Sequence, residues 1–223
     1  MSLPLRQTVQ RGELARHRHA EAYVAVVLSG AYEEAGDPGR RRVEAGDVVI
    51  HRPWEAHLNR TPARAEVLNL PIEAAGLAAF GRVDDLDRLV TIAQRDLTAA
   101  RSMLLEAFRP RPPTLADWPD ALAATLTADG PVSLAGQAER LGVSREYLSR
   151  GFRRMFGITP QRFAWETRCR AALQAVRATD EPLADLAAGH GFADQAHMTR
   201  AIRDFSGRTP GAWRRSNPFK TAA

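Results

Sequence analysis

The sequence predicts an α+β chain of two domains: an N-terminal β-barrel or jelly roll, then an all-α half with two helix-turn-helix motifs. Three observations predict it. Residues 1–75 hold short β-rich runs broken by Gly and Pro. Between residues 131 and 215 one structural sentence is written twice. Charge is divided unevenly: residues 1–130 carry 16 basic and 18 acidic side chains (−2), whereas residues 131–223 carry 15 and 8 (+7), almost all of the basic ones Arg. A basic half joined to a nearly neutral one is the footprint of a phosphate-binding module attached to something else.

The strands come first. Tyr23-Val24-Ala25-Val26-Val27-Leu28 is β-rich and stops at Ser29-Gly30. Ala45-Gly46-Asp47 is a tight-turn signal ahead of Val48-Val49-Ile50, and Val67-Leu68-Asn69-Leu70 ends before Pro71. Several short strands at close intervals suggest a small barrel or jelly roll over 1–75. Residues 76–113 read as a helical connector. Leu86, Leu89, Val90, Ala93, Leu97, Ala100, Leu104, Leu105 and Phe108 recur at helical spacing. Arg109-Pro110-Arg111-Pro112-Pro113 breaks that helix and reads as a linker to a third segment, 114–223.

Each copy of the repeat has the physics of a helix, a turn and a second helix. In the first, Leu134, Ala138 and Leu141 line a short helix, Gly142 turns the chain, and Ser144 caps a helix with apolar Tyr147, Leu148, Phe152 and Met155. In the second, the same places fall to Leu183, Leu186 and Ala187, Gly191, Asp194, and Met198, Ile202 and Phe205. Gly157 and Gly207 close the second helices, and Thr159-Pro160 and Thr209-Pro210 open the next ones. A connecting helix from about 160 to 178, with Phe163, Trp165, Ala172, Leu173 and Val176 at its apolar positions, sets the distance between the copies.

The spaced Ala138, Gly142, Ser144, Tyr147-Leu148-Ser149-Arg150, Phe152, Gly157, Pro160, Arg168 and Ala172 resemble the DNA-binding domain of AraC/XylS-family transcription regulators. So do Leu186-Ala187, Gly191-Phe192, Asp194, Arg200, Phe205, Gly207, Thr209-Pro210 and Trp213-Arg214. The resemblance implies a sequence-specific regulator that binds double-stranded DNA and is not an enzyme. It implies a homodimer contact through helices after the barrel, although a helix packed on its own barrel fits the same stripe, and RNA polymerase as a partner if the protein activates. Base readout falls to Arg145, Glu146, Ser149 and Arg150 in the first head, and to Gln195, Ala196, His197, Thr199 and Arg200 in the second. Arg153, Arg154, Arg203 and Arg208 are placed for phosphate. A solvated helix face is the plainer reading of any one of them. Arg168 fits a brace between the two halves. Gly151, Met198 and Ala201-Ile202 depart from the family's usual larger or aromatic residues and are expected to loosen packing.

His17-Arg18-His19, Gly30, Gly46-Asp47 and Pro53-Trp54-Glu55-Ala56-His57 resemble a cupin, which implies a ligand-sensing barrel for a small-molecule effector. Cupin enzymes hold a divalent metal on the equivalents of His17, His19 and His57, with a Glu as fourth ligand; Glu21 stands too near His19 to fill that place well. His51 joins these three as a candidate ligand or metal residue. The alternatives are polar residues lining an organic-ligand pocket, an architectural DNA binder with an inert barrel, and a metal-dependent cupin enzyme fused to a DNA-binding domain. One cysteine, Cys169, excludes an intrachain disulfide and reads as a small helix residue. No apolar run approaches 18 residues and the N-terminus has no apolar signal core, so no membrane span and a cytoplasmic protein are expected.

Overall fold

A computed structural model describes residues 4–73, 76–112, 117–128 and 132–216. The chain divides into two compact units, Met1–Ala124 with Arg150–Ile158, and Thr125–Ser149 with Thr159–Ala223.

The first unit is built on two antiparallel sheets. One has the order β1 (Arg6–Val9), β8 (Ala65–Pro71), β3 (Tyr23–Ser29), β6 (Asp47–His51), β9 (Phe80–Arg82), β10 (Arg109–Pro110); the other has β2 (Gly12–Arg18), β7 (Ala56–Thr61), β4 (Ala31–Gly36), β5 (Gly39–Glu44). The described strands stay in two sheets that do not close into one barrel, so the expected barrel is resolved as a pair of facing sheets. Strand alternation explains the layers. Tyr23, Ala25 and Val27 of β3, Val49 of β6 and Val67 of β8 meet Tyr32 and Val43 from the smaller sheet. Val24, Val26, Val48, Ile50, Leu68 and Leu70 point the other way, onto Leu89 and Ala93 of α1 (Leu86–Ala93) and Ala100 and Leu104 of α2 (Leu97–Ala107). A sheet covered on both faces needs apolar residues at every position, which is why β3 reads as an unbroken hydrophobic run.

The connector's apolar stripe is thus spent mainly on its own sheet, with Leu97 and Leu105 left 38% and 45% exposed. Asp85 and Asp96 cap the two helices through their side chains. The segment read as a linker begins with a strand: Arg109 and Pro110 pair with Arg82 and Gly81. Gly81 permits this, because a Cβ there would lie 2.3 Å from the Phe108 ring. Pro113, the last residue of that segment, lies outside the described residues.

The helices after it are α3 (Trp118–Thr127), α4 (Leu134–Arg140), α5 (Arg145–Phe156), α6 (Pro160–Ala178), α7 (Leu183–Gly189), α8 (Gln195–Ser206) and α9 (Pro210–Arg215). Their starts are capped as the sequence signals. Ser144 accepts from Tyr147 N at 3.1 Å, Asp194 from His197 N at 2.7 Å, Thr159 from Arg162 N and Thr209 from Ala212 N. Gly207 ends α8 at φ 77°, a left-handed conformation that suits Gly. Within α6, Phe163, Cys169, Ala172, Leu173 and Val176 are fully buried.

At Gly151 the expected loosening does not occur. A Cβ on Gly151 would stand 2.6 Å from Trp118 Cζ2, so the missing side chain is the space the indole occupies. Met198 and Ile202 are 0% exposed and Ala201 5%, so these departures lie in the interior.

Candidate nucleic-acid interface and histidine cluster

Helical spacing separates each second helix into a buried and an open face. In α5, Leu148, Phe152 and Phe156 are buried; Arg145, Glu146, Arg150, Arg153 and Arg154 are exposed, and Ser149 is half-buried. In α8, Met198, Ala201, Ile202 and Phe205 are buried; Gln195, Ala196, Arg200 and Arg203 are exposed, with His197 and Thr199 half-buried. Arg208, just past α8, is exposed as well. Every residue proposed for base or phosphate contact is therefore reachable from solvent.

Two of these side chains have local roles. His197 Nδ1 accepts from Ala193 N at 3.3 Å, and its ring meets Phe192 edge-on at 5.4 Å, which fixes the imidazole at the turn before α8. Arg208 donates to the Ala212 carbonyl at 3.1 Å and lies 4.6 Å from the Trp213 ring centroid. Arg168, exposed on α6, donates to the carbonyl of Gly191 at 3.3 Å and sits 5.9 Å from the Phe192 ring, joining the connecting helix to the second copy's turn.

The four sequence-singled histidines converge inside the first unit. His17 of β2 stands opposite His57 of β7 in register, after an irregularity between Leu14 and His17, and Tyr23 of β3 stands opposite His51 of β6. Ring centroids are 4.4 Å apart for His17 and His57, 5.0 Å for His17 and His19, 5.7 Å for His19 and His57, and 4.3 Å for His51 and His57. The His19 carbonyl accepts from Trp54 N at 2.7 Å, which fastens the turn before β7 to the end of β2; Trp54 itself takes φ 65°.

Sequence reasoning missed the acid. Glu21 is exposed and belongs to neither group of potential ligands. Glu34 of β4 is 2% exposed, with Oε2 3.5 Å from His51 Nε2 and Oε1 4.0 Å from Arg41 Nε. Its signal was alternation: Glu34 is two residues from Tyr32, so both face inward. Burial raises the Glu34 pKa to about 7; the nearby Arg41 opposes that rise. Burial likewise holds His51 and His57 well below the usual imidazole value, and lowers His19. Among the described residues two sets of three result, His17, His19 and His57, and Glu34, His51 and His57, each with ligand atoms within 4.8 Å of one another. The cavity that the four histidines share with Tyr23, Asn59 and Asn69 holds about 40 Å³, whereas an open cleft beside Arg11, Glu13, Arg42 and Arg60 holds about 680 Å³.

Residues 137–216 match a helix-turn-helix domain family, and the match spans both repeat copies. An uncharacterised HTH-type transcriptional regulator of Staphylococcus aureus is 32% identical over 90 residues, 40% of this chain and 12% of that protein. The transcriptional regulator Rob of Salmonella typhimurium is 32% identical over 91 residues, 41% of this chain and 32% of Rob. The chain thus spans a third or less of the length of these relatives. Among solved structures, the C-terminal domain of AraT, a response regulator from Geobacillus stearothermophilus, aligns with 46% of this chain and 88% of its own at TM-score 0.42 and 24% identity. No helix among the described residues is long and apolar enough to cross a membrane.

Proposed function

We propose that this chain is a sequence-specific DNA-binding transcription regulator of the AraC type whose cupin-like N-terminal half senses a small-molecule or metal effector. In this reading residues 1–75 sense the effector, 76–113 connect, and 114–223 bind DNA. The observation that carries it is the pair of capped helices, α5 and α8, each with a sealed apolar face and an open Arg-bearing face, inside a matched helix-turn-helix region. Arg145, Glu146, Ser149 and Arg150, with Gln195, Ala196, Thr199 and Arg200, present donors, acceptors and one methyl to base edges. Arg153, Arg154, Arg203 and Arg208 bind phosphate, which sets register and salt dependence. His197, held at its turn, presents one remaining ring edge. An effector works by binding one conformational state better than another.

The test is selection of bound sequences from random DNA, followed by Arg150→Ala and Arg200→Ala. Each should weaken operator binding by about 5- to 150-fold, the loss of a bidentate guanine contact, with unchanged circular dichroism. Unaltered operator affinity in both variants would remove the reading. The alternative of a metal-dependent cupin enzyme fused to a DNA-binding domain draws on the same histidines, while the matched relatives are named as regulators.

A further inference from the structure

We propose that the open cleft beside Arg60 is a binding site for a small organic monocarboxylate, and that this ligand competes with the end of α5 for the Arg60 guanidinium. The competition half rests on the regulator reading above, where it names the effector; the binding half does not. The histidine cavity, at about 40 Å³, is too small for an organic ligand, whereas the cleft's 680 Å³ falls in the range of small-molecule sites, roughly 300–1,000 Å³. All of its lining residues belong to the first unit. They lie at one end of the smaller sheet. There Gly12 and Glu13 of β2 stand opposite Thr61 and Arg60 of β7, and Glu33 of β4 stands opposite both Arg60 and Arg42 of β5.

The lining selects the ligand class. Ala31, Tyr32 and Pro62 give the cleft an apolar wall. Arg11, Arg42 and Arg60 stand against Glu13 and Glu33, so the guanidiniums outnumber the carboxylates and the cleft keeps a net positive charge. One carboxylate on an apolar body matches that balance; a second negative charge would face Glu13 and Glu33. Thr61 lines the same cleft, is 3% exposed, and has a buried hydroxyl with no hydrogen-bond partner among the described residues. An unmet hydroxyl costs free energy until a polar group reaches it, and a carboxylate oxygen is an acceptor for its proton.

Arg60 joins this cleft to the first reading helix. Its Nε donates to Glu13 at 2.9 Å, and Glu33 Oε1 lies 3.9 Å from its Nη1. Its two Nη groups donate to the carbonyls of Met155 at 3.0 Å and Arg154 at 2.6 Å, in the last turn of α5. The last carbonyls of a helix lack partners within it, and a cation there also suits the negative end of the helix dipole. Residues 150–158 belong to the first unit, so Arg150 lies on the stretch that Arg60 holds. A guanidinium binds a carboxylate as a two-pronged fork and more strongly than it binds neutral carbonyls. A ligand that takes the fork therefore releases both carbonyls and uncaps the end of α5.

Calorimetric titration of the full chain with benzoate, 3-phenylpropionate and octanoate, each beside its primary amide, tests the binding half. Expected is one carboxylate bound per chain for at least one of the three, with its amide at least about tenfold weaker. Arg11→Gln and Arg42→Gln should each weaken that binding about threefold with unchanged Tm. Thr61→Val should weaken it too, with Tm equal or raised, because a buried unpartnered hydroxyl is removed; a lowered Tm with full affinity would take Thr61 out of the site. No binding of any acid, equal binding of acid and amide, or full affinity in all three variants would overturn the site. In the second arm, saturating ligand should change wild-type operator affinity by about fivefold or more. Arg60→Gln should show that ligand-saturated affinity with and without ligand. Ligand binding that leaves operator affinity alone, or an Arg60→Gln protein that still responds, would refute the competition. Failure to bind any selected DNA, with or without ligand, would instead sink the regulator reading, with the calorimetry still deciding the site.

Discussion

At residue 151 a side chain has been given up so that another can enter. The sequence marks Gly151 as a helix defect costing on the order of 1 kcal/mol; the structure shows Trp118 seated where its Cβ would be. Gly151→Leu should therefore destabilise the fold by about 1–3 kcal/mol, the usual cost of overpacking, read as a shifted urea midpoint. Trp118→Ala in the same chain should recover part of that loss. Glu34 is the other residue whose meaning depends on its surroundings. It faces Arg41, His51 and His57, and burial raises its pKa from 4.5 to about 7. The folded state then favours the protonated acid. Its contribution to stability is complete below about pH 4.5 and is lost as pH rises through 7. Compared with wild type in chelator, Glu34→Gln should flatten stability over that interval; an unchanged slope would place the carboxyl in a better-solvated setting.

At the scale of elements, sequence signals and structure agree wherever the cause is local. Asp194 caps α8 through a 2.7 Å bond to His197 N, and Asp194→Ala should cost about 1 kcal/mol of stability and fray the helix that carries Arg200. On the same helix Arg203 is exposed, with Asp204 4.0 Å away in an open ion pair that screening makes weak. Arg203→Ala should lower affinity for all DNA sequences alike and reduce the slope of log K against log salt by about 0.9. A sequence-selective loss would move Arg203 to the base-reading group. The connector shows where local signals stop. Its apolar stripe from Leu86 to Leu104 is visible in the sequence, but periodicity does not say which surface receives it. Packing answers that, because the outer face of the larger sheet has to be covered.

At the scale of the whole molecule, long-range ion pairs hold elements far apart in sequence. Arg40 of β5 is 6% exposed and donates to Asp120 of α3 through its backbone N at 2.9 Å and its Nε at 3.2 Å, and also pairs with Asp117. Asp120→Ala would leave that guanidinium short of acceptors and should destabilise the protein by about 2 kcal/mol, measured as a lowered midpoint in denaturant.

By itself the sequence determined the two α-helical repeats, their caps and turns, the solvent-facing arginines and the run of strands ahead of them. These depend on residues within one or two turns of each other, where spacing of 3.6 or 2 and a capping side chain are enough. Only the tertiary structure decided that four histidines spread over 41 residues converge and that two of them, His51 and His57, meet a buried carboxylate from β4, that Trp118 occupies the place left by Gly151, and that Arg60 reaches the end of α5. Each of those is set by which strands and helices become neighbours, and that choice is made by burying apolar surface over the whole unit, which no short stretch of sequence encodes.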